Sequence, residues 1–147
     1  PGPGRTLKDW RGRRAVLLSG WAGLGEVAVP DTVFVADLVP HEWLFPRMAA
    51  VVHHGGAGTT SAGIRAGVPS IVVPFHGDQP FWAARVAALG VGPAPIPRRR
   101  LTSDALRRAL EEATGDEAMV ARAGELGRRV RAEDGVQRAI EVIERTL

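Results

Sequence analysis

The stretch Val51-Val52-His53-His54-Gly55-Gly56-Ala57-Gly58-Thr59-Thr60 decides the fold of this chain. Its apolar start predicts a buried strand, and its glycines predict a tight turn that leads into a helix. Glycine lets a backbone approach an anion closely because it carries no Cβ. The N-terminus of a helix adds unpaired N–H groups and the positive end of the helix dipole. The stretch therefore predicts a phosphate-binding turn between a strand and a helix.

Strands and helices alternate on both sides of this turn. Apolar runs predict the strands Ala15–Ser19, Val33–Ala36, Ala50–His53 and Ser70–Val73, and segments between glycine and proline breaks predict the helices His41–Met48, Thr59–Ala66 and Asp78–Leu89. This alternation is typical of an α/β domain with a mainly parallel sheet. In such a sheet we expect the continuous apolar run Ala15–Ser19 to be buried on both faces.

Three amphipathic helices are predicted within residues 102–147. Thr102 or Ser103, then Asp116, then Asp134 stand at their N-cap positions. Helical spacing predicts three core-facing stripes, which are Leu106, Ala109, Leu110 and Ala113; Val120, Ala123, Leu126 and Val130; and Val136, Ala139, Ile140 and Ile143. Residues 1–147 fit a single domain, with a motif-rich core at 14–92 and this helical tail at 102–147.

The composition narrows the classes of function. The net charge of +3 comes almost entirely from arginines that are scattered among acids, and the one basic run, Arg98-Arg99-Arg100, reads as a solvated loop. No apolar run approaches the roughly 20 residues of a membrane span. The chain has no cysteine, so it has no disulfide, thiolate metal site or cysteine nucleophile. We expect a cytoplasmic protein with no nucleic-acid partner and no stable membrane insertion.

The loops that follow parallel strands meet at one edge of a sheet, where α/β proteins bind their ligands. Four segments of this chain are predicted to reach that edge. They are Gly20-Trp21, Val39-Pro40-His41, the turn from His54 to Thr60, and the segment from Phe75 to Gln79. Each segment is rich in residues that a core does not need, and together they predict a binding crevice.

Several side chains of this crevice suit a phosphorylated sugar. His54 can donate a hydrogen bond to a phosphate oxygen, whereas His53 should point the other way along the strand and fits a structural role. Thr59 can offer a hydroxyl and an N–H, or it can be an ordinary N-cap. Asp78 and Gln79 offer acceptors and donors for the hydroxyls of a sugar. Alternatively, Asp78 caps the helix and Gln79 faces solvent.

Two other ligand classes are weighed against this interpretation. Gly56-Ala57-Gly58 followed by Asp78 imitates a dinucleotide-binding motif, but Ser61 occupies the third glycine position and Asp78 lies beyond a proline. A metal site would have to use His41, His53, His54 and His76, which lack the spacing of a helical ligand pair. We expect neither a metal nor a cofactor.

The order of these motifs resembles the donor-binding domain of family 1 glycosyltransferases. Within that family it looks most like the sterol 3-β-glucosyltransferases and the bacterial natural-product enzymes. The resemblance rests on Ser19-Gly20-Trp21, on Val39-Pro40-His41-Glu42-Trp43-Leu44-Phe45-Pro46, on His53 to Thr60, on Gly67-Val68-Pro69, and on Pro74 to Trp82. It implies a GT-B enzyme with two Rossmann-like domains, of which this chain is the C-terminal, nucleotide-sugar half.

The resemblance also implies a role for individual residues. His54 and the amides around Gly56, Ala57, Gly58 and Thr59 would hold the diphosphate, and Asp78 and Gln79 would hold the sugar. Val39 would bind the base through its backbone, and His41 would lie next to the base and ribose. The stacking tryptophan and ribose-binding glutamate of plant relatives fall at Leu38 and Ala62 here, so Trp21 is a candidate substitute platform.

The reaction implied is inverting transfer of a hexose from a UDP- or dTDP-sugar to a hydroxyl of a sterol-like or other lipophilic natural product. The general base and the acceptor pocket of the family lie in the N-terminal domain, so we expect this chain alone to be inactive and to need that domain or a partner chain. The resemblance also implies that the first strand and helix of the donor domain are absent here, so we expect Ala15–Ser19 and Ala50–His53 either to close up or to keep unpaired edges. The alternatives are a non-catalytic nucleotide-sugar-binding module and a subunit of a split glycosyltransferase.

Overall fold

The computed structural model describes residues 13–19 and 29–146. These residues contain four short strands and six α-helices. The strands are β1 (Ala15–Leu18), β2 (Val33–Ala36), β3 (Val51–His53) and β4 (Ser70–Val72). The helices are α1 (His41–Leu44), α2 (Ala57–Ala66), α3 (Gln79–Ala88), α4 (Ser103–Gly115), α5 (Glu117–Ala132) and α6 (Gly135–Thr146), with 3₁₀ turns at Phe45–Arg47 and Arg98–Arg100. One helix lies between β2 and β3, another lies between β3 and β4, and four helices follow β4, which confirms the predicted α/β class.

The strands form two parallel ladders. β1 pairs with β2 so that Ala15 lies opposite Val33, and β3 pairs with β4 so that His53 lies opposite Val72. Within residues 13–19 and 29–146, no ladder connects one pair to the other. β1 and β3 therefore do not pair with each other in the described residues, so the two strands have not closed up.

Strand β4 is the best-buried part of the sheet, because helices cover both of its faces. On one face Ile71 packs with Ala109 and Ala113 of α4 and with Met119 of α5. On the other face Val72 packs in a cluster with α3. Burying each such aliphatic side chain stabilises the fold by about 1.5–3 kcal/mol. The core therefore fixes β4, and with it the loop that leads from β4 into α3.

The expectation that the first strand is buried on both faces is wrong. All four residues of β1 are only half-buried. Val16 and Leu18 pack against the cluster of Leu44, Phe45 and Val51, so this face is covered. On the neighbouring strand β2, Phe34 is 69% exposed. Among the described residues, apolar side chains pack against only one face of the β1–β2 ladder.

The helical tail confirms the predicted caps. Thr102, Asp116 and Asp134 each accept a hydrogen bond from the backbone N–H three residues later, at 3.1, 2.9 and 2.9 Å. The predicted inner face of α4 is also confirmed, since Ala109 and Ala113 are buried and Leu106 and Leu110 pack beside them.

The predicted inner faces of α5 and α6 are partly wrong. In α5 the buried residues are Met119, Ala123 and Gly127, whereas Val120 is exposed. The reason is a close approach to α2, since a Cβ on Gly127 would lie 2.6 Å from the Cα of Gly67. In α6 the predicted stripe of Val136, Ala139, Ile140 and Ile143 is exposed, because no described element covers it. None of the described helices is long and apolar enough to cross a bilayer.

Candidate functional site: a glycine turn at the edge of the sheet

The glycine turn begins with a residue that must be glycine. Gly55 has φ +92°, a conformation that side chains with a Cβ rarely adopt. A Cβ there would also lie 2.6 Å from Cγ1 of Val72 and 3.2 Å from the carbonyl oxygen of Gln79. The turn is therefore packed directly against β4 and the start of α3. This contact joins the segment formed by β3, the turn and α2 to the segment from Phe75 to Gln79.

Helix α2 begins two residues earlier than predicted. Gly56 is its N-cap and makes no side-chain cap bond. The first backbone bond of the helix runs from the N–H of Thr60 to the carbonyl of Gly56, at 2.9 Å. The prediction that the helix starts at Thr59, with Thr59 as a possible N-cap, is therefore wrong. The N–H groups of Ala57, Gly58 and Thr59 have no acceptor within the helix, as expected at an N-terminus.

The imidazole of His54 lies beside this helix end. A Cβ built on Gly56 would come within 2.5 Å of Nε2 of His54, so the ring lies across the N-cap. His54 is exposed, as are Ala57 and Gly58. An imidazole N–H and several backbone N–H groups therefore border the same accessible space. Such a group of donors, at the positive end of a helix dipole, can bind an anion.

His53 faces inward. Its Nδ1 accepts a hydrogen bond from the backbone N–H of Gly55 at 3.0 Å, while its Nε2 is buried without a partner among the described residues. Burial, together with the charges on His54 and His41, lowers the pKa of His53 to about 4. His53 is therefore a neutral hydrogen-bond acceptor at physiological pH. His54 and His41 thus lie close enough to His53 to disfavour its charged form.

The loop after β4 holds Gln79 in an unexpected way. Gln79 is only 8% exposed, and its Oε1 accepts the backbone N–H groups of Phe75 and His76 at 2.8 and 3.2 Å. The alternative in which Gln79 faces solvent is wrong. Because Oε1 is already engaged, the side chain offers a ligand its NH₂ group rather than its carbonyl oxygen.

Asp78 is the N-cap residue of α3 but makes no cap bond with its side chain. Instead, its Oδ2 accepts a hydrogen bond from Nε1 of Trp82 at 2.9 Å. The interpretation of Asp78 as an ordinary capping residue is therefore wrong. Sequence reasoning gave Trp82 no role, although its i, i+4 spacing from Asp78 on a helix was a usable signal. The indole fixes one carboxylate oxygen, and the exposed carboxylate remains accessible.

The remaining predicted residues lie on the segment after β2 or outside the described part of the chain. Val39 is half-buried against the cluster of Leu44, Phe45 and Val51. His41 begins α1, and its ring stacks on Phe45 with the ring centroids 4.4 Å apart. The stacking holds the imidazole flat against α1. Trp21 lies outside the described residues.

Metal ligands do not gather at this edge. In residues 13–19 and 29–146, no group of three or more histidine, aspartate or glutamate side chains is placed to hold a metal ion. The donors of the turn are imidazole and backbone N–H groups, which suit an anion rather than a cation.

Comparison with known proteins shows the family. Residues 18–145 match the family described as erythromycin biosynthesis protein CIII-like, C-terminal domain. The chain belongs to this family of glycosyltransferase domains, which confirms the resemblance drawn from the motifs. It is 45% identical over 148 aligned residues to a sterol 3-beta-glucosyltransferase of Arabidopsis thaliana, covering 97% of this chain and 23% of that protein. A sterol 3-beta-glucosyltransferase of Aspergillus fumigatus is 48% identical over 142 residues, covering 91% of this chain and 10% of that protein.

Solved structures of glycosyltransferases are also similar to this chain. The kitacinnamycin glycotransferase superposes with a TM-score of 0.81 at 36% identity, covering 91% of this chain and 35% of its own. The glycosyltransferase VinC, solved in complex with dTDP, superposes with a TM-score of 0.71 at 34% identity. The match covers 84% of this chain and 32% of the VinC chain. The structural neighbours are GT-B glycosyltransferases. The chain thus spans about a third of these structures and less than a quarter of the curated relatives above.

Proposed function

We propose that this chain is the donor-binding half of an inverting glycosyltransferase. Its substrate would be a UDP- or dTDP-hexose, and the acceptor would be a hydroxyl of a sterol-like or other lipophilic natural product. The diphosphate would lie against the N-terminus of α2, where it meets the N–H groups of Ala57, Gly58 and Thr59 and the imidazole of His54. The observation that carries this proposal is the position of His54 across the N-cap Gly56.

The neighbouring residues support the placement of the rest of the donor. Gly55 packs against Gln79, so the diphosphate and sugar ends of the site are adjacent. We assign the NH₂ group of Gln79 and the free carboxylate oxygen of Asp78 to the hydroxyls of the hexose. The base would lie toward Val39 and His41, with Trp21 as a further candidate. The dTDP in the VinC structure supports a nucleoside diphosphate as the ligand class.

This arrangement would also assist the reaction. Negative charge develops on the diphosphate as the bond to the sugar breaks, and fixed donors stabilise that charge without reorganising. His54 and the helix dipole would supply this stabilisation, so no metal or cofactor is required in the proposed mechanism. The general base and acceptor pocket would come from an N-terminal acceptor domain or a partner chain. The lack of cysteine supports a cytoplasmic location for the enzyme.

Calorimetric titration with UDP, dTDP and NAD tests the ligand class. We expect the two nucleoside diphosphates to bind and NAD not to bind. The variant His54→Ala should bind UDP about 10–100-fold more weakly, because a hydrogen bond to a charged group contributes about 1.5–3 kcal/mol. His76→Ala is the matched control, since it removes an exposed imidazole from the same edge and keeps the backbone N–H that Gln79 accepts. Unchanged UDP affinity in His54→Ala would remove the phosphate assignment.

A second experiment tests whether the chain is half of an active site. The purified 147-residue chain should bind the donor but should not transfer the sugar to an acceptor. Turnover of a UDP-sugar by this chain without any partner would contradict the proposal. Donor binding that produces no transfer even when an acceptor domain is supplied would favour the non-catalytic module.

A further inference from the structure

His53 forms a hydrogen bond with the backbone of Gly55, the residue at which the chain turns. Its Nδ1 accepts the backbone N–H of Gly55, which belongs to the peptide that joins His54 to Gly55. Gly55 itself has the left-handed φ of +92°. A single imidazole therefore fixes the peptide plane between the residue that carries the exposed ring and the residue that turns the chain.

The surroundings of His53 keep it in the form that can accept this bond. Val51 and His53 lie on the same face of β3, and Val51 packs against Gly63 of α2. The buried residues of α2, Thr60 and Gly63, carry no charge, and the residue of β4 paired with His53 is Val72. The titratable groups that reach His53 are His54 and His41, and both disfavour its protonation.

Protonation would destroy the acceptor, because both ring nitrogens of an imidazolium carry a hydrogen. The bond to Gly55 therefore requires the neutral tautomer with its proton on Nε2. That nitrogen is buried and makes no hydrogen bond within the described residues. The structure thus retains a buried polar atom without a partner while it preserves the bond from Gly55 to Nδ1. A purely apolar side chain at position 53 would avoid that cost but would leave the N–H of Gly55 unpaired.

We propose that His53 is a positioning residue for the diphosphate site. By holding the His54–Gly55 peptide, it keeps the imidazole of His54 across Gly56 and keeps the first N–H groups of α2 directed at the ligand. This inference rests on the proposed function, because it concerns how that site is shaped. His53 does not touch the donor, and it acts through the backbone of Gly55.

The test compares three replacements of His53 in the full chain, with UDP as the probe. His53→Asn places Oδ1 close to the position of Nδ1, so it should accept the N–H of Gly55 and keep UDP affinity within about threefold of the parent. His53→Leu has a similar volume but no acceptor, and should weaken UDP binding about tenfold. His53→Gln moves the amide one carbon farther from the backbone and should resemble His53→Leu. It provides the comparison with His53→Asn if His53→Leu does not fold.

Two spectroscopic readouts separate positioning from general stability. Hydrogen exchange of the Gly55 amide should be slow in the parent and in His53→Asn, and fast in His53→Leu or His53→Gln. The ¹⁵N shifts of His53 should show the proton on Nε2. Equal UDP affinity in the parent, His53→Leu and His53→Gln would overturn the inference, as would weak binding by His53→Asn with a protected Gly55 amide.

The results that would contradict the proposed function differ from those that would contradict the role of His53. If the folded parent chain does not bind UDP or dTDP, or if His54→Ala binds as well as the parent, then the ligand site itself is wrongly assigned. If the parent binds UDP in a His54-dependent way and the His53 variants have no effect, only the role of His53 is wrong.

Discussion

Gly55 lies directly against Gln79, although Gly55 belongs to the turn before α2 and Gln79 is the first residue of α3. A Cβ at position 55 would be 3.2 Å from the carbonyl oxygen of Gln79 and 3.5 Å from its Cβ. The turn before α2 and the start of α3 therefore share one contact that has no room for a side chain. This contact joins the two segments that we assign to the diphosphate and to the sugar.

Gly55→Ala should destabilise the chain more than the same change at another left-handed glycine. Gly77 has φ +65° but open space around it, so Gly77→Ala should cost only backbone strain of about 1–2 kcal/mol. Gly55→Ala adds a clash with Val72 in the core, worth a further ~1–3 kcal/mol. Urea denaturation measures the two free energies of unfolding. Equal losses at the two positions would contradict the close packing at Gly55.

Gly56→Ala should displace the ring of His54 without harming the fold. Gly56 has φ −60° and ψ 145°, which alanine adopts readily, but the new Cβ would lie 2.5 Å from Nε2 of His54. We expect UDP affinity to fall about tenfold with little change in the melting temperature. The double variant with Gly56→Ala and His54→Ala should bind UDP only slightly more weakly than His54→Ala alone. Gly115→Ala, with open space at a distant helix end, is the control that should leave UDP affinity unchanged and should not lower the melting temperature.

Two substitutions at position 79 should separate the structural part of Gln79 from its ligand-binding part. Gln79→Glu keeps an oxygen for the N–H groups of Phe75 and His76 but loses the NH₂ donor. It should fold, and its affinity for the UDP-hexose should fall further than its affinity for UDP, which the added negative charge near the diphosphate also weakens. Gln79→Ala leaves both N–H groups without an acceptor and should lose about 1–3 kcal/mol of stability. Calorimetry with UDP and UDP-hexose, beside urea denaturation, distinguishes these outcomes.

The stability of the chain should depend on pH through His53. The pKa of His53 is lowered from 6.5 to about 4 in the folded chain, so between these values the unfolded chain binds more protons. Stability should fall as pH decreases from 6.5 to 4, by up to about 3 kcal/mol from this group, and this contribution should be constant below pH 4. His53→Asn should lack this part of the dependence. A parallel pH profile for the parent and His53→Asn would show that His53 is not the group responsible.

Elements with a local signal were predictable from the sequence. The caps at Thr102, Asp116 and Asp134 were confirmed because each depends on one side chain and a backbone N–H three residues away. The strand Val33–Ala36 was also located correctly, since its run of four apolar residues, two of them valine, lies between polar breaks. The residue motifs, in their order along the chain, were enough to recognise the family.

Features that depend on distant contacts were not predictable. The early start of α2 depends on how Gly55 packs against Val72 and Gln79, whereas the sequence there reads only as a glycine-rich loop. The face that α5 buries is set by its approach to Gly67, which apolar spacing does not reveal. The inward position of Gln79 depends on the shape of the loop before it. Each of these errors concerns tertiary packing that overrides a local pattern.

The division of the sheet into two ladders has a consequence for local unfolding. The β3–β4 ladder is held between helices by the buried side chains of β4, whereas in the part of the chain that the structure describes the β1–β2 ladder packs on the rest through the half-buried Val16 and Leu18. Segments with few buried contacts open at a lower free energy than the whole domain. The amides of β1 and β2 should therefore exchange with solvent long before those of β4. The chain then behaves as two cooperative units, and the glycine turn belongs to the more persistent one.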